Sequence, residues 1–351
     1  MSNNSSVEDR IAVIGAGSWG TALAISLALG GRDVSLWARR EEAAEIMRTE
    51  RHNPTYLPQA IIPDSVLVTS DLAEAVRGRG VWLFATPSQS VREVAGQVRA
   101  FASARHILVS VAKGIENGTL LTTTGVLRDV VTEVPAERIG VLYGPSHAEE
   151  VAAAVPTAVV VAADDLAVAE HVQELFMSPR LRVYVNPDLL GVEIAGSVKN
   201  ILAIATGICD GVGYGDNAKA ALITRGIAEI KRLGVAMGAR EETFSGLAGI
   251  GDLVVTCMSR HSRNRYVGEQ IGQGRSLEEI QAEMKMVAEG VRTAISVHEL
   301  AQRYGVEMPI VEAVHSILFD GKAPRAAVHD LMTRSAKRED RLYVDAAADT
   351  E

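Results

Sequence analysis

IAVIGAGSWGTALAISLALGG, residues 11–31, passes from a short apolar run of β type through three glycines into an apolar helical run. The glycines are Gly15, Gly17 and Gly20, at G-x-G-x-x-G spacing. Between a strand and a helix this spacing has a physical use: the first glycine allows a tight turn, the second lets a diphosphate approach the backbone, and the third lets helix pack closely on strand. The helix N-terminal amides then face the anion. The stretch predicts the opening βαβ unit of a dinucleotide-binding sheet.

The alternation continues along the chain. Strand-like runs recur at DVSLWA (33–38), SVLVTS (65–70), GVWLFAT (80–86), HILVSVA (106–112), RIGVLYG (138–144), TAVVVAA (157–163) and LRVYVN (181–186), with helical patterns such as QSVREVAGQVRAFA between them. Several are apolar throughout, as strands covered on both faces tend to be. The fold class is therefore α/β, with an N-terminal doubly wound, Rossmann-type domain on a mainly parallel sheet over residues 10–187. After Pro187 long helical patterns replace strands (188–209, 216–238, 276–286 and 290–305), so residues 188–335 read as an all-α domain and 336–351 as a flexible, charged tail.

Composition agrees with two folded domains: 351 residues exceed one comfortable core, and 47% are hydrophobic. A net charge of −9, from 35 Lys plus Arg against 44 Asp plus Glu, argues against a broad nucleic-acid surface. Cys209 and Cys257 stand far apart with no ligand spacing, so neither a disulfide framework nor a metal site is expected. The polar start MSNNSSVED lacks a signal-peptide core, and the apolar runs are interrupted before membrane-spanning length. A cytoplasmic protein without membrane insertion is the expectation.

Where a site preferring NAD would place an acidic residue after the second strand, this chain has Trp37-Ala38-Arg39-Arg40. Guanidinium groups suit a ribose 2′-phosphate, which favours NADPH slightly over NADH, although Arg39 and Arg40 also read as a solvated pair. Lys113 in SVAKGIENG and Gly144 and Ser146 in VLYGPSHAEEVA follow the fifth and sixth strands, at the carboxyl edge where open α/β sheets bind ligands. Ser146 with Glu149 reads equally as a capping box.

Two further stretches carry chemistry. In LAGIGDLVVTCMSRHSRNRYVG (247–268), Asp252 and Thr256 share a face if the piece is helical. Arg260, Ser262, Arg263, Asn264 and Arg265 follow as the donor types a phosphate needs, or as a solvated charged face. In IAGSVKNILAIATG (194–207), Lys199 and Asn200 interrupt an apolar helix; alone, Lys199 reads as a residue snorkelling to solvent. Cys257 reads as a small core side chain, and His147 and His261 as structural hydrogen-bonders.

The order GAGSWGTALA, HNPTYLP (52–58), SVAKGIE, GPSHAEEVA, GSVKNILAIATG, GLAGIGDLVVTC, SRNR and VAEGVRT resembles the bacterial NAD(P)-dependent sn-glycerol-3-phosphate dehydrogenases over residues 10 to about 335. The resemblance implies reduction of dihydroxyacetone phosphate to sn-glycerol 3-phosphate, a small phosphorylated substrate feeding phospholipid synthesis, and a homodimer. It places the general acid/base on Lys199; beside it, on chemical grounds, Asp252, Asn200 and Thr256 read as catalytic companions, Asn200 and Thr256 as orienting donors. Substrate-binding positions fall on Lys113, Gly144, Ser146, Lys199, Asp252, Ser262, Arg263 and Asn264. Cofactor positions fall on Gly15, Gly17, Ser18, Trp19, Gly20, Arg39, Arg40, Lys113, Ala148, Arg263, Val287 and Glu289, for NADP or NAD and without metal. Two other readings compete: a β-hydroxyacid dehydrogenase of the same superfamily, which reads a carboxylate, and a dinucleotide-binding sensor without catalysis.

Overall fold

The computed structural model of the chain describes residues 9–284 and 286–336; the expected tail lies outside them from residue 337 on, as do the first eight residues of the polar start. Ten strands run in chain order: β1 (Ile11–Ile14), β2 (Val34–Trp37), β3 (His52–Asn53), β4 (Leu57–Ile61), β5 (Leu67–Thr69), β6 (Val81–Phe84), β7 (Ile107–Ser110), β8 (Ile139–Tyr143), β9 (Thr157–Ala163) and β10 (Leu181–Asn186). Eight of them form one sheet in the order β10-β9-β8-β7-β6-β1-β2-β5, and each corresponds to a strand expected from sequence. The pairings are parallel except β8 with β9, which is antiparallel.

Side-chain alternation explains why so apolar a sheet is stable. In β1, Ile11 and Val13 join one core cluster while Ala12 and Ile14 join another; in β6, Val81 and Leu83 divide from Trp82 and Phe84 in the same way. Both faces are thus covered, as a period of two requires when every residue is apolar. The connection pattern reverses between β1 and β6. From β1 the chain winds outward through β2 to β5, then returns to β6 on the other side. Open sheets of this kind take ligands beyond the carboxyl ends of the strands at that reversal.

The HNPTYLP stretch, a loop by sequence, contributes instead to the short antiparallel pair β3-β4. It is there to deliver Asn53: the buried side-chain amide donates to the Ala16 carbonyl and to Thr21 Oγ1, both at 2.9 Å, and so braces the glycine loop.

Packing divides the chain into two compact units. Of the described residues, one unit holds the sheet, with those up to Lys113 and Leu121–Leu189; the other holds Gly114–Leu120 and those from Leu190 onward. The contiguous reading of 10–187 missed the excursion at 114–120. Its cause is local: Ile115 is fully buried in the helical core, and its carbonyl accepts from Ser296 Oγ at 3.0 Å. In the helical unit, among described residues, no strand occurs.

The helix Leu189–Val212 runs through that unit's core. It is long and apolar enough, by length and composition, to cross a membrane, contrary to the sequence expectation. Most of its apolar window lies buried inside the protein. It meets the helix Arg263–Gly272 through glycines on both sides. A Cβ on Gly207 would lie 2.0 Å from the Arg265 carbonyl oxygen, one on Gly211 2.1 Å from that of Glu269, one on Gly268 2.0 Å from that of Ile204, and one on Gly272 2.5 Å from that of Ile208. The matched contacts advance together along both chains, so the helices run in the same direction with their backbones touching.

Glu229, in the helix Asp216–Ala236, is buried and accepts from the Ile310 and Val311 amides at 2.8 and 3.2 Å, which ties it to the first turn of the helix Pro309–Phe319. Burial pushes its carboxyl from the ordinary 4.5 up to about 7, although the two amides pull the other way. A folded-state pKa raised above the unfolded value gives stability that is complete below about pH 4.5 and lost as pH rises through about 7. Urea midpoints should therefore show the parent chain losing up to ~3 kcal/mol across this window relative to Glu229→Gln, which has no titrating carboxyl there. Parallel pH curves for the two proteins would count against this account of Glu229.

Candidate functional site

In the sheet-bearing unit, every candidate residue sits on one edge, because β1, β2, β6, β7 and β8 point the same way. Gly15 has φ +122°, and a Cβ there would lie 2.7 Å from the Ala85 carbonyl oxygen; it is the turn, made against the end of β6. A Cβ on Gly20 would lie 1.9 Å from the Gly15 carbonyl oxygen, so this glycine lets helix meet strand. Gly17 differs: a Cβ there meets nothing within 4 Å. It precedes the helix Ser18–Leu29 and supplies no side-chain cap. The first-turn amides of Ser18, Trp19 and Gly20 have no carbonyl behind them within the helix, so they face open space able to take an anion. These residues fit a dinucleotide diphosphate.

Arg39 and Arg40 are exposed at the end of β2, and among the described residues neither enters an ion pair. Glu41, whose charge could have neutralised them, is held by Ser70 and Arg48, and those hydrogen bonds, Ser70 first, draw its carboxyl below the usual range. Lys113, after β7, donates to the Gly144 carbonyl at 3.0 Å and lies over the Tyr143 ring. Gly144 has φ +137°, and Ser146 Oγ donates back to the Gly144 carbonyl at 3.1 Å. The capping-box reading of Ser146 fails: the residue before the helix Ala148–Ala152 is His147, with no side-chain cap. Ser146 Oγ is turned instead to the Gly144 carbonyl, which also accepts from Lys113.

In the helical unit, Lys199 is buried at 4% exposure and Asp252 at 1%. The Lys199 ammonium donates to Asp252 Oδ1 in a short contact and to Thr256 Oγ1 at 2.6 Å, while the Thr256 hydroxyl donates to the Asp252 backbone carbonyl at 2.6 Å. The snorkelling alternative is thereby excluded. Asp252 and Thr256 share a face because Asp252–Met258 is helical, as their spacing anticipated. A π-helical turn, Leu247–Gly251, precedes it, and Asp252 stands in the first turn, where the helix dipole favours its negative charge.

Asn200, next to the lysine, accepts from Asn264 Nδ2 at 3.1 Å, and Asn264 Oδ1 accepts from the Gly290 amide at 2.9 Å. Side chain is thus fixed by side chain, and the last link is backbone. Ser262 is the N-cap of the helix Arg263–Gly272, accepting from the Arg265 amide. Arg263 reaches the Val287 carbonyl at 3.0 Å, which ties the two segments expected to meet substrate and cofactor. Val287 is exposed and Glu289 begins the helix Glu289–Tyr304. The basic cluster is not one patch, however. Arg260 is exposed, and Arg265 turns away to Asp210, which its guanidinium meets at 2.6 and 2.8 Å. Sequence reasoning missed Asn53, Asp210 and Gly290; only a map of contacts brings each to its partner.

Cys257 is fully buried, and burial pushes its thiol up to about 12, which leaves it a packing residue. Among the described residues, no group of three or more His, Cys, Asp or Glu is placed to hold a metal ion.

Comparison with known proteins adds independent findings. Residues 10–169 match the family model described as NAD-dependent glycerol-3-phosphate dehydrogenase N-terminus, and 188–329 match the corresponding C-terminus. The chain is 62% identical over 332 residues to the NAD(P)+-using glycerol-3-phosphate dehydrogenase 1 of Salinibacter ruber (strain DSM 13855 / M31), covering 95% of this chain and 97% of that one. It is 54% identical over 330 residues to the enzyme of that name from Chlorobium phaeobacteroides (strain BS1), covering 94% and 99%. Its structure is similar to the crystal structure of glycerol-3-phosphate dehydrogenase from Coxiella burnetii, with TM-score 0.89 and 41% identity over 93% of this chain and 100% of that one.

Removing one partner of a buried ion pair leaves the other charge uncompensated. Asp252→Asn should therefore cost about 3–5 kcal/mol in urea unfolding, whereas the paired replacement Lys199→Met with Asp252→Leu should recover most of it. Equal losses in the single and double variants would show that the charges are not compensating one another.

Proposed function

The chain belongs to the NAD-dependent glycerol-3-phosphate dehydrogenase family, and from that premise we infer the reaction and propose which residues perform it. It is an NAD(P)-dependent oxidoreductase that interconverts dihydroxyacetone phosphate and sn-glycerol 3-phosphate. The observation that carries the assignment of roles is the buried set Lys199, Asp252 and Thr256, placed one residue from the Asn200–Asn264 pair.

When bound, the nicotinamide supplies or accepts the hydride at C2 of the three-carbon substrate. The loop Gly15 to Gly20 would hold the dinucleotide diphosphate, Arg39 and Arg40 the adenosine ribose and any 2′-phosphate on it, and Lys113, Ala148, Arg263, Val287 and Glu289 the remainder. Reduction leaves negative charge on the C2 oxygen. Lys199 stabilises that charge and delivers the proton; in the oxidative direction its neutral amine takes the proton back. Asp252 and Thr256 fix the ammonium in place, so that little of its freedom is lost in the reacting complex. Asn200 is a second donor, held in orientation by Asn264. In the helical unit Arg263, Asn264 and Ser262 are the phosphate-binding residues; in the sheet-bearing unit Lys113, Gly144 and Ser146 are the substrate positions the family resemblance implies. Ser262 accepts the Arg265 amide and keeps its hydroxyl hydrogen for a phosphate oxygen.

The main contributions divide along the sequence: residues 10–187 supply the glycine loop for the diphosphate, and 188–335 supply the proton and Arg263 with Asn264, while each also carries positions assigned to the other ligand. A homodimer working in the cytoplasm, with its product drawn into phospholipid synthesis, agrees with this reading and with the family. A β-hydroxyacid dehydrogenase would present its cation to a carboxylate; here Arg263, Asn264 and Ser262 together suit a phosphate. The intact Lys199–Asp252–Thr256 set weighs against a sensor without catalysis.

Following the absorbance of reduced coenzyme with dihydroxyacetone phosphate tests the reading directly, and turnover of a 3-hydroxy acid in its place would overturn it. Lys199→Ala should abolish turnover, by about a thousandfold or more, while NADPH binding measured by fluorescence stays nearly intact. Retention of more than a few per cent of activity would remove Lys199 as proton donor. Arg263→Ala should raise the KM for dihydroxyacetone phosphate by about tenfold to a hundredfold, since a charge-assisted bidentate contact is lost. An unchanged KM would sink that assignment.

A further inference from the structure

We propose that Asp210 is a positioning residue for substrate: through Arg265 it sets the rotation and register of the helix that presents Arg263 and Asn264. The proposal rests on the reading of Arg263 and Asn264 as the phosphate clamp. Its basis is the contact between the helices Leu189–Val212 and Arg263–Gly272. Glycine meets backbone at four places along that contact, at Gly207, Gly211, Gly268 and Gly272. Such a seam holds the helices close, and beside it Val267 and Ile271 of the short helix join the same buried core as Ile204 and Ile208 of the long one. The apolar and glycine side of the short helix begins at Val267, so the aim of the first turn, which carries Arg263 and Asn264, is left to its polar contacts.

Polar pairs supply that aim. Near one end of the seam, Asn200 accepts from Asn264 at 3.1 Å. Ten residues further along the same helix, roughly 15 Å at 1.5 Å per residue, Asp210 takes Arg265 Nε and Nη2 on one carboxylate oxygen, at 2.8 and 2.6 Å. Its other oxygen accepts from Lys219 at 3.0 Å. Asp210 and Arg265 are only 13% and 17% exposed, so the pair is shielded from the screening that weakens surface pairs. Three consecutive residues of the short helix thus point in three directions, because successive side chains lie about 100° apart. Arg263 reaches the Val287 carbonyl, Asn264 reaches Asn200, and Arg265 reaches Asp210. With Arg265 released, the first turn loses one of the contacts that fix its rotation, and Arg263 and Asn264 shift from the positions in which they meet a phosphate.

The test compares two ketones. Dihydroxyacetone phosphate uses the clamp and dihydroxyacetone lacks the group it holds, so a residue acting through the clamp affects only the first. Asp210→Asn should raise the KM for dihydroxyacetone phosphate about tenfold with kcat within about threefold, and leave kcat/KM for dihydroxyacetone unchanged. Arg265→Lys, a milder change, should move the same ratio in the same direction, the double variant should add little to either, and Asp210→Glu should return part of the loss. Lys219→Ala, which removes the other partner of Asp210, should leave the ratio near that of the parent. An unchanged preference between the ketones in both Asp210→Asn and Arg265→Lys, or equal losses on both ketones, would overturn the proposal. Failure of the parent chain to reduce dihydroxyacetone phosphate would instead strike the functional reading, and would be seen before any variant is measured.

Discussion

An ammonium group on the helix Leu189–Val212 has nowhere to go but into the core, so its charge has to be answered inside the protein. Asp252 and Thr256 answer it, and much of the helical unit follows from that need. Burying both charges costs several kcal/mol per ion unless geometry and hydrogen bonds are good. The carboxylate must therefore arrive on a fixed element. It does so in the first turn of a helix, after a π-helical turn in which a Cβ on Gly249 would lie 2.1 Å from the Phe244 carbonyl oxygen. A tightly packed, irregular turn is the means by which the carboxylate meets the amine.

The sheet-bearing unit solves a different problem with different means. It has to offer backbone donors to an anion without burying a charge of its own. Glycine does this by absence: at Gly15 and Gly20 a side chain would collide with main chain, whereas at Gly17 it would meet only open space. Asn53, reaching in from a two-stranded ribbon, keeps the loop from collapsing into that space by holding Ala16 and Thr21. Dinucleotide binding here is a matter of shape and of unspent amides. The buried set in the other unit, the proposed seat of proton transfer, is a matter of compensated charge.

These two kinds of site differ in how far sequence reveals them. The sheet was legible because local patterns carry it: apolar runs with a period of two, and a glycine spacing whose meaning depends on a few neighbouring residues. The Asp252–Thr256 face was legible for the same reason, being one helical turn. What was not legible is set by contacts distant in the chain. Nothing near Arg265 distinguishes it from Arg263, yet one reaches the Val287 carbonyl and the other is bound to Asp210. Nothing near Ile115 says that it leaves the sheet for the helical core. The length of the helix Leu189–Val212 misled in the opposite sense, because Lys199 and Asn200 looked like interruptions and are instead accommodated by partners.

The excursion at Gly114–Leu120 bears on how such a protein can be divided. Because this segment is packed with the helical unit, the main chain changes unit three times rather than once, after Lys113, after Leu120 and after Leu189. A gene cut near Pro187 would give a first fragment carrying a stranded apolar loop, and a second with a hole where Ile115 belongs and a Ser296 hydroxyl deprived of its acceptor. Neither half is a self-contained cassette. Recombination could exchange them only together, which ties the evolutionary fate of the nucleotide-binding half to that of its catalytic companion.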